Sequence, residues 1–212
     1  MRIALPKGRL LVGVQDLLRE IGLTFQYASD RDYNPVCNDP GFRATLRKVR
    51  AIPQLVALGN FPVGFCGLDL VRESDYENVV PVVDLGLNPV KLVVAISGET
   101  PNILEDPPKR PLVIATEYEK IATQWAMERG LSHIIVQSWG STESYAPEDA
   151  DVVFDCVETG RTLRANGLVV VDQILGSSTW MIVNRSVLEE SSEYHDRIHQ
   201  MTTQLNMLVE GR

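Results

Sequence analysis

The chain has 212 residues, of which 44% are hydrophobic and 23% are charged, and its formal net charge is −8. These values are typical of a folded protein with one large or two small domains, and they argue against a nucleic-acid partner. No apolar run approaches the roughly 20 residues of a membrane helix, and no signal-peptide pattern follows Met1. The three cysteines (Cys37, Cys66 and Cys156) form neither a disulfide framework nor a C-x-x-C metal motif. We therefore expect a cytoplasmic protein with no membrane contact.

The first half of the chain alternates predicted strands with predicted helices. A strand at 3–5 leads through a turn into a helix at 10–21, where apolar residues recur at helical spacing. The further predicted elements are strands at 24–27 and 44–49, a helix at 52–58, a strand, turn and helix start at 63–71, and strands at 79–85 and 91–96. Alternation of this kind indicates an α/β protein with largely parallel sheets.

The second half continues the same pattern after a proline-rich segment at 98–111, which we interpret as a connection between two lobes. A βαβ unit follows, with Thr116 as the predicted helix N-cap. Its elements and those after it are a strand at 112–115, a helix at 117–129, a strand at 134–136, a strand that begins at 152, strands at 168–175 and 180–183, and a last helix from about 186. Ligands of parallel sheets bind beyond the carboxyl ends of the strands, so we expect the glycine-containing turns there to face one cleft.

The most informative stretch is the strand, turn and helix start at 152–166. Its turn, Thr159-Gly160-Arg161-Thr162, offers backbone N–H groups, two hydroxyls and a guanidinium, which together suit a phosphate. Asp155 and Glu158 come just before the turn, where carboxylates accept hydrogen bonds from sugar hydroxyls. The pattern indicates a ribose phosphate. An ordinary βα turn that contains a glycine is the alternative interpretation.

A second possible anion site is the turn at Lys7, Gly8 and Arg9, which opens the first predicted helix. Two cations beside a turn are also typical of a solvated rim, and the sequence leaves both interpretations open. Other cations available to an anionic ligand are Arg47, Lys48 and Arg161.

The aromatic and histidine residues are assigned structural roles. Trp125, Trp139 and Trp180 are predicted to be core residues rather than surfaces that stack on adenine. His133, His195 and His199 are predicted to be structural or exposed to solvent, and no Ser-His-Asp or Cys-His constellation is evident.

Several blocks of this sequence together resemble the short form of the ATP phosphoribosyltransferase family, which begins histidine biosynthesis. The blocks are Ala4-Leu5-Pro6-Lys7-Gly8-Arg9, Gly64-Phe65-Cys66-Gly67-Leu68-Asp69, Ala115-Thr116-Glu117-Tyr118, Gly140-Ser141-Thr142-Glu143, and Asp155 to Leu163 continuing through Asn166-Gly167-Leu168. They follow the family's order and spacing from Met1 to about Arg185. The last block carries most of the resemblance.

The resemblance implies an α/β fold of two lobes, like the periplasmic binding proteins, with mostly parallel sheets and a ligand cleft between the lobes. The expected lobes are 1–97 with 177–212, and 98–176. The implied reaction transfers phosphoribose from phosphoribosyl pyrophosphate to ATP and gives phosphoribosyl-ATP and pyrophosphate.

The resemblance also implies the site residues. The phosphoribosyl pyrophosphate set is Asp155, Glu158, Thr159, Gly160, Arg161 and Thr162, and in it Asp155 and Glu158 also serve as the catalytic carboxylates. The ATP set is Lys7, Gly8, Arg9, Arg47, Lys48, Gly67 and Asp69. For Asp69, an acid favoured by a helix dipole is the alternative interpretation. Mg²⁺ would be carried by pyrophosphate and ATP rather than by a protein cage of carboxylates.

The implied partner is a regulatory subunit related to histidyl-tRNA synthetase, in an assembly that is a homodimer or a hetero-octamer. A chain that ends at Arg212 fits the short form. The sequence departs from the family at Ala51 (usually Asp), Lys48 (usually Arg) and Phe61-Pro62 (usually Ala-Asp), and the segment 144–150 is one residue shorter and lacks a glycine. These departures leave a non-catalytic family member as one alternative, and a small-molecule binding module of the same two-lobed architecture is the other.

Overall fold

Strands and helices alternate along the chain in the computed structural model, which describes residues 1–29, 31–189 and 191–211. The strands are β1 (Arg2–Pro6), β2 (Phe25–Gln26), β3 (Val36–Cys37), β4 (Arg43–Arg47), β5 (Val63–Gly67), β6 (Val79–Ser97), β7 (Leu112–Thr116), β8 (His133–Gln137), β9 (Val152–Val157) and β10 (Leu168–Asn184). The helices are α1 (Leu10–Glu20), α2 (Ile52–Ala57), α3 (Leu68–Ser74), α4 (Glu119–Glu128), α5 (Arg161–Ala165) and α6 (His195–Glu210). The predicted α/β class is confirmed.

The chain folds as two compact units, one built from Met1–Pro89 with Ser178–Arg212 and the other from Val90–Ser177. The proline-rich segment lies inside the second unit, and the chain passes between the units within β6 and β10. Among the described residues, no helix is both long enough and apolar enough to cross a membrane.

The first unit is organised around the parallel strands β4, β1 and β5, and the end of β10 runs antiparallel to β5. Helix α1 buries Val14, Leu17 and Leu18, and α6 contributes its buried stripe to the same core. Gly64 lets α2 pack closely on β5, because a Cβ there would lie 2.5 Å from Cγ2 of Ile52. The small side chain thus serves packing between a helix and a strand.

The second unit contains the sheet order β6-β9-β7-β8, in which β9, β7 and β8 are parallel and β6 is antiparallel to β9. On one face, the rings of Trp125 and Phe154 meet edge to face with centroids 5.1 Å apart. On the other face, Leu163 is buried among small apolar residues of the sheet and its connections. Since the three parallel strands point the same way, their carboxyl ends share one edge.

Three details differ from the sequence-based expectation. The pairs of strands predicted at 79–85 and 91–96, and at 168–175 and 180–183, are the single strands β6 and β10. In β6, the left-handed residues Gly86 and Asn88 interrupt the side-chain alternation without ending the strand. Thr116 is not the N-cap of α4, because Tyr118 is; the Thr116 hydroxyl instead accepts a hydrogen bond of 2.8 Å from the Tyr118 amide. The last helix, predicted from about 186, begins at His195, because Arg185–Leu188 form a separate 3-10 turn that ends in the extended residue Glu189.

A bidentate ion pair fixes the start of β9 in the second unit. Nη1 and Nη2 of Arg110 lie 2.6 and 2.9 Å from Oδ2 and Oδ1 of Asp151. The Val113 amide donates to Oδ2 of the same carboxylate at 2.8 Å. The hydrogen bond from Arg110, and then that from Val113, lower the pKa of Asp151 below its ordinary value.

Asp151→Asn is therefore expected to lower the free energy of unfolding at pH 7 by about 1 to 2 kcal/mol. The folded-state pKa lies below the unfolded one, so this contribution is present above pH 3.8 and disappears as the pH falls through the folded value. Urea denaturation at pH 7 and pH 3 measures the difference, with Asp106→Asn as the exposed control from the same unit. Equal stability of the variant and the wild type at pH 7 would contradict the assignment.

Candidate active site

The segments that follow β7, β8 and β9 meet at the carboxyl edge of the second unit's sheet. The Ser138 amide, just after β8, donates a hydrogen bond of 2.9 Å to the Thr116 carbonyl at the end of β7. The 3-10 turn at Thr142–Tyr145 packs against β9, which ends two residues before Thr159. The edge therefore collects side chains from three connections that are distant in sequence.

The turn after β9 has its base in the core and its tip in solvent. Leu163 is 1% exposed and anchors the short helix α5, while Thr159, Arg161 and Thr162 are exposed. Gly160 has φ +66°, and a Cβ there would also lie 3.3 Å from Nη1 of Arg164, so a glycine suits this position. Among the described residues, the side chains of Thr159, Arg161 and Thr162 make no hydrogen bond or ion pair. These groups are available to a ligand.

The turn is also braced from within. Nη2 of Arg164 donates a hydrogen bond of 3.0 Å to the carbonyl oxygen of Thr159, and the Arg164 amide donates to the Gly160 carbonyl at 3.2 Å. Arg164 thus has a structural role, whereas Arg161, three residues earlier, projects from the start of α5.

Asp155 is a half-buried carboxylate in β9, directly upstream of this turn. Its Oδ1 accepts a hydrogen bond of 2.8 Å from the Cys156 amide. Burial raises its pKa to about 6 against the opposing effect of that hydrogen bond, and the negative charge of Glu143 adds to the rise. A strongly raised carboxyl pKa at a strand end is typical of functional sites. Glu158 is exposed beside it.

The turn after β8 holds a tryptophan whose predicted position in the core is wrong. Trp139 is 77% exposed, whereas Trp125 is 4% exposed, as predicted. Trp139 comes three residues after the apolar run Ile134-Ile135-Val136, which favours a core position, although its immediate neighbours are polar or small. Only the position of the turn shows that the ring lies in solvent.

The seven residues predicted to bind ATP lie at the carboxyl edge of the first unit's sheet. Lys7, Gly8 and Arg9 follow β1. Arg47 ends β4 and Lys48 follows it, while Gly67 ends β5 and Asp69 lies in the first turn of α3. Strand β1 lies between the other two strands. The Lys7 amide donates a hydrogen bond of 2.8 Å to the Arg47 carbonyl, which joins two of these connections.

Two aromatic rings contact cations of the first unit, and no ligand role was predicted for either ring. Nζ of Lys7 lies 4.1 Å from the ring centroid of Tyr33. The guanidiniums of Arg2 and Arg47 lie 4.3 and 5.6 Å from the ring centroid of Phe61. Arg47 also donates a hydrogen bond of 3.0 Å to the Leu46 carbonyl, so its side chain is partly committed to the protein.

The described residues contain no cluster of three or more His, Cys, Asp or Glu side chains that could ligate a metal ion.

Comparisons with known sequences point to one family. The profile of the HisG family, ATP phosphoribosyltransferase, matches residues 48–207. An ATP phosphoribosyltransferase of Chlorobium chlorochromatii is 34% identical over 195 residues, which are 90% of this chain and 65% of that protein. One from Chlorobium phaeobacteroides is 34% identical over 216 residues, covering 100% of this chain and 71% of that protein. The chain spans 65% of the length of the first of these relatives.

Comparisons with solved structures concern the fold. The ATP phosphoribosyl transferase (HisG:HisZ) complex from Thermotoga maritima contains a chain that superposes with a TM-score of 0.85 at 22% identity, with both chains covered completely. The GluR0 ligand-binding core in complex with L-glutamate gives a TM-score of 0.57 at 10% identity, covering 100% of this chain and 92% of that one. Both likenesses concern the fold alone, and they confirm the predicted α/β fold class.

Proposed function

Since the chain belongs to the ATP phosphoribosyltransferase family, we propose that it transfers the phosphoribosyl group of phosphoribosyl pyrophosphate to ATP. The products are phosphoribosyl-ATP and pyrophosphate, and the reaction opens histidine biosynthesis. The observation that carries the proposal is the exposed Thr159–Thr162 turn, which lies beside a half-buried carboxylate at a sheet's carboxyl edge. Ligands of parallel sheets bind at such edges.

The turn is proposed to hold the 5-phosphate of phosphoribosyl pyrophosphate. Two threonine hydroxyls and the Arg161 guanidinium, none of them engaged within the described residues, supply neutral donors and a cation. A guanidinium suits phosphate because its planar fork donates two parallel hydrogen bonds. Since Leu163 fixes the base of the turn in the core, little ordering is needed when the ligand binds.

Asp155 and Glu158 are proposed to hold the sugar. As carboxylates they accept hydrogen bonds from the ribose diol, and they favour the positive charge that develops on the sugar as pyrophosphate leaves. Above a pH of about 6, Asp155 is in the ionised form that this role requires. Its proposed contribution is to bind and orient the sugar, and to stabilise charge.

The first unit is proposed to hold ATP through Lys7, Gly8, Arg9, Arg47, Lys48, Gly67 and Asp69. The support is their common position at the carboxyl edge of that unit's sheet. Arg47 contributes less than a free arginine would, because it already contacts Leu46 and Phe61. Lys48 supplies charge but lacks the fork geometry of arginine.

The proposed reaction depends on aligning the two substrates and stabilising charge more than on proton transfer. The attacking ring nitrogen of adenine carries no proton, so no general base has to act on it, and the protein's task is to align two polyanions. Mg²⁺, carried by pyrophosphate and ATP, would neutralise their phosphate charge.

We further propose that the chain works in the cytoplasm, where ATP is available, with a regulatory subunit related to histidyl-tRNA synthetase. The support is the fold's likeness to the chain in the Thermotoga maritima complex, which is named for HisG and HisZ together. The proposed assembly is a homodimer or a hetero-octamer. The family departures at Lys48 and Ala51 lie on the ATP side, so we expect the partner to matter most there.

A spectrophotometric assay with ATP, phosphoribosyl pyrophosphate and Mg²⁺ tests the proposal directly. We expect phosphoribosyl-ATP to form, with a higher rate when a synthetase-like subunit is added. A control without ATP separates transfer from hydrolysis of phosphoribosyl pyrophosphate. A chain that binds both substrates but forms no product, with or without the partner, would instead be a non-catalytic family member.

A further inference from the structure

Trp139 places a large aromatic ring in solvent at the edge where the sugar is proposed to bind. It is 77% exposed, whereas the Trp125 ring is buried. A tryptophan presents a rigid ring face to a ligand and loses little conformational entropy when it does so, which is why tryptophan recurs at binding hot spots.

The backbone on both sides of Trp139 is held in place. Ser138 is fully buried, and its hydroxyl oxygen lies 2.7 Å from that of Thr142. Between these residues, Gly140 and Ser141 have φ of +111° and +50°. A left-handed serine is an unfavourable conformation that persists only where its surroundings impose it. These contacts therefore fix the conformation of the turn, and with it the backbone position of Trp139.

The turn after β8 also lies at a suitable distance from the Thr159–Thr162 turn, which is proposed to hold the 5-phosphate. One strand, β7, separates β8 from β9, so their carboxyl ends are roughly 10 Å apart at about 4.8 Å per strand spacing. After Trp139 the chain returns toward β9, close enough for the charge of Glu143 to act on Asp155. The attacking base must come within about 3 to 3.5 Å of the anomeric carbon, at the opposite end of the ribose from its 5-phosphate.

We propose that Trp139 stacks on the adenine ring of ATP and holds it beside the phosphoribosyl group. The inference rests on the proposed function and adds a base-recognition residue to it. Stacking on an indole selects an aromatic ring without reading its edge, so Trp139 would orient the base rather than distinguish adenine from other purines.

Kinetics of Trp139→Ala and Trp139→Phe test the inference. The alanine variant is expected to raise the KM for ATP about 5- to 100-fold, the range of a lost base stack, while the KM for phosphoribosyl pyrophosphate changes less than about twofold. The phenylalanine variant keeps a ring and is expected to stay within about threefold of the wild type. Met127→Ala removes an apolar side chain that is 69% exposed on α4, and it serves as the matched control.

Fluorescence keeps the test independent of turnover. ATP is expected to quench the emission of the wild type, whereas inorganic triphosphate, which has charge but no ring, is not. In Trp139→Phe, the emission of Trp125 and Trp180 is expected not to respond to ATP.

Equal KM values for ATP in the wild type and Trp139→Ala would overturn the inference, as would equal quenching by ATP in Trp139→Phe. A rise in both KM values together would indicate collapse of the turn and would also count against stacking. If the wild type forms no phosphoribosyl-ATP but ATP still quenches Trp139, the proposed reaction fails and the stacking site stands.

Discussion

Arg161→Ala is expected to weaken the binding of phosphoribosyl pyrophosphate at least tenfold, which is about 1.4 kcal/mol or more. The guanidinium is exposed at the start of α5 and makes no hydrogen bond or ion pair within the described residues, so its loss removes a ligand contact without breaking a structural one. Isothermal titration calorimetry of phosphoribosyl pyrophosphate measures the change directly. Thr159→Ala is expected to act in the same direction.

The matched control for this prediction is Arg72→Ala. Arg72 is an exposed arginine in the last turn of α3, in the other unit, and its replacement is expected to leave binding unchanged. Unchanged affinity in Arg161→Ala would show that the Thr159–Thr162 turn does not hold the ligand. An equal loss in both variants would instead point to a general effect of net charge.

Asp155→Asn is expected to lower kcat/KM for phosphoribosyl pyrophosphate about 10- to 100-fold, since a charged acceptor of the ribose hydroxyls is lost. The wild-type value should also fall as the pH drops below about 6, where Asp155 takes up a proton. The 5-phosphate titrates near the same pH. The measurement therefore compares the pH dependence of kcat/KM in the wild type and in Asp155→Asn. The part that is present in the wild type and absent from the variant is assigned to Asp155.

The same substitution is expected to stabilise the fold at pH 7.5 by about 1 to 3 kcal/mol. The pKa of Asp155 rises from its ordinary value of 3.8 to about 6 in the folded chain, so the native state holds the proton more tightly than the unfolded state. Stability is consequently lost as the pH rises from about 4 to 6, and a neutral amide avoids that loss. Urea denaturation at pH 7.5 provides the measurement.

Asp149→Asn is the control for both effects, because Asp149 is an exposed carboxylate in the connection that leads to β9. It is expected to change neither kcat/KM nor stability by a measurable amount. If Asp155→Asn were less stable than the wild type and fully active, Asp155 would be a structural residue. Gained stability with lost activity is the pattern of a group that is held for function.

The conformation of the Thr159–Thr162 turn could be predicted from the sequence because it depends on residues that are close in the chain. Asp155 and the turn from Thr159 to Thr162 are neighbours in the chain, and a strand, a glycine and a helix start place them together without help from distant residues. The amphipathic spacing of α1 predicted its extent for the same reason. Whether these residues bind phosphoribosyl pyrophosphate stays a prediction.

The features that could not be predicted depend on contacts between distant segments. The contact of Lys7 with Tyr33, and the effect of Glu143 on the pKa of Asp155, join residues that come together only in the fold. The exposure of Trp139 depends on where the turn after β8 lies, which the apolar run at 134–136 before it does not reveal. The sequence predicted two strands where β6 is one, because a glycine such as Gly86 between two apolar runs is also typical of a break between strands.

The most direct test of the proposed function is a crystal structure of the chain with phosphoribosyl pyrophosphate and Mg²⁺. We expect 5-phosphate oxygens within about 2.7 to 3.2 Å of the amides and hydroxyls of the Thr159–Thr162 turn, with the ribose diol on Asp155 or Glu158. A 5-phosphate bound elsewhere, with this turn still in solvent, would contradict the proposal.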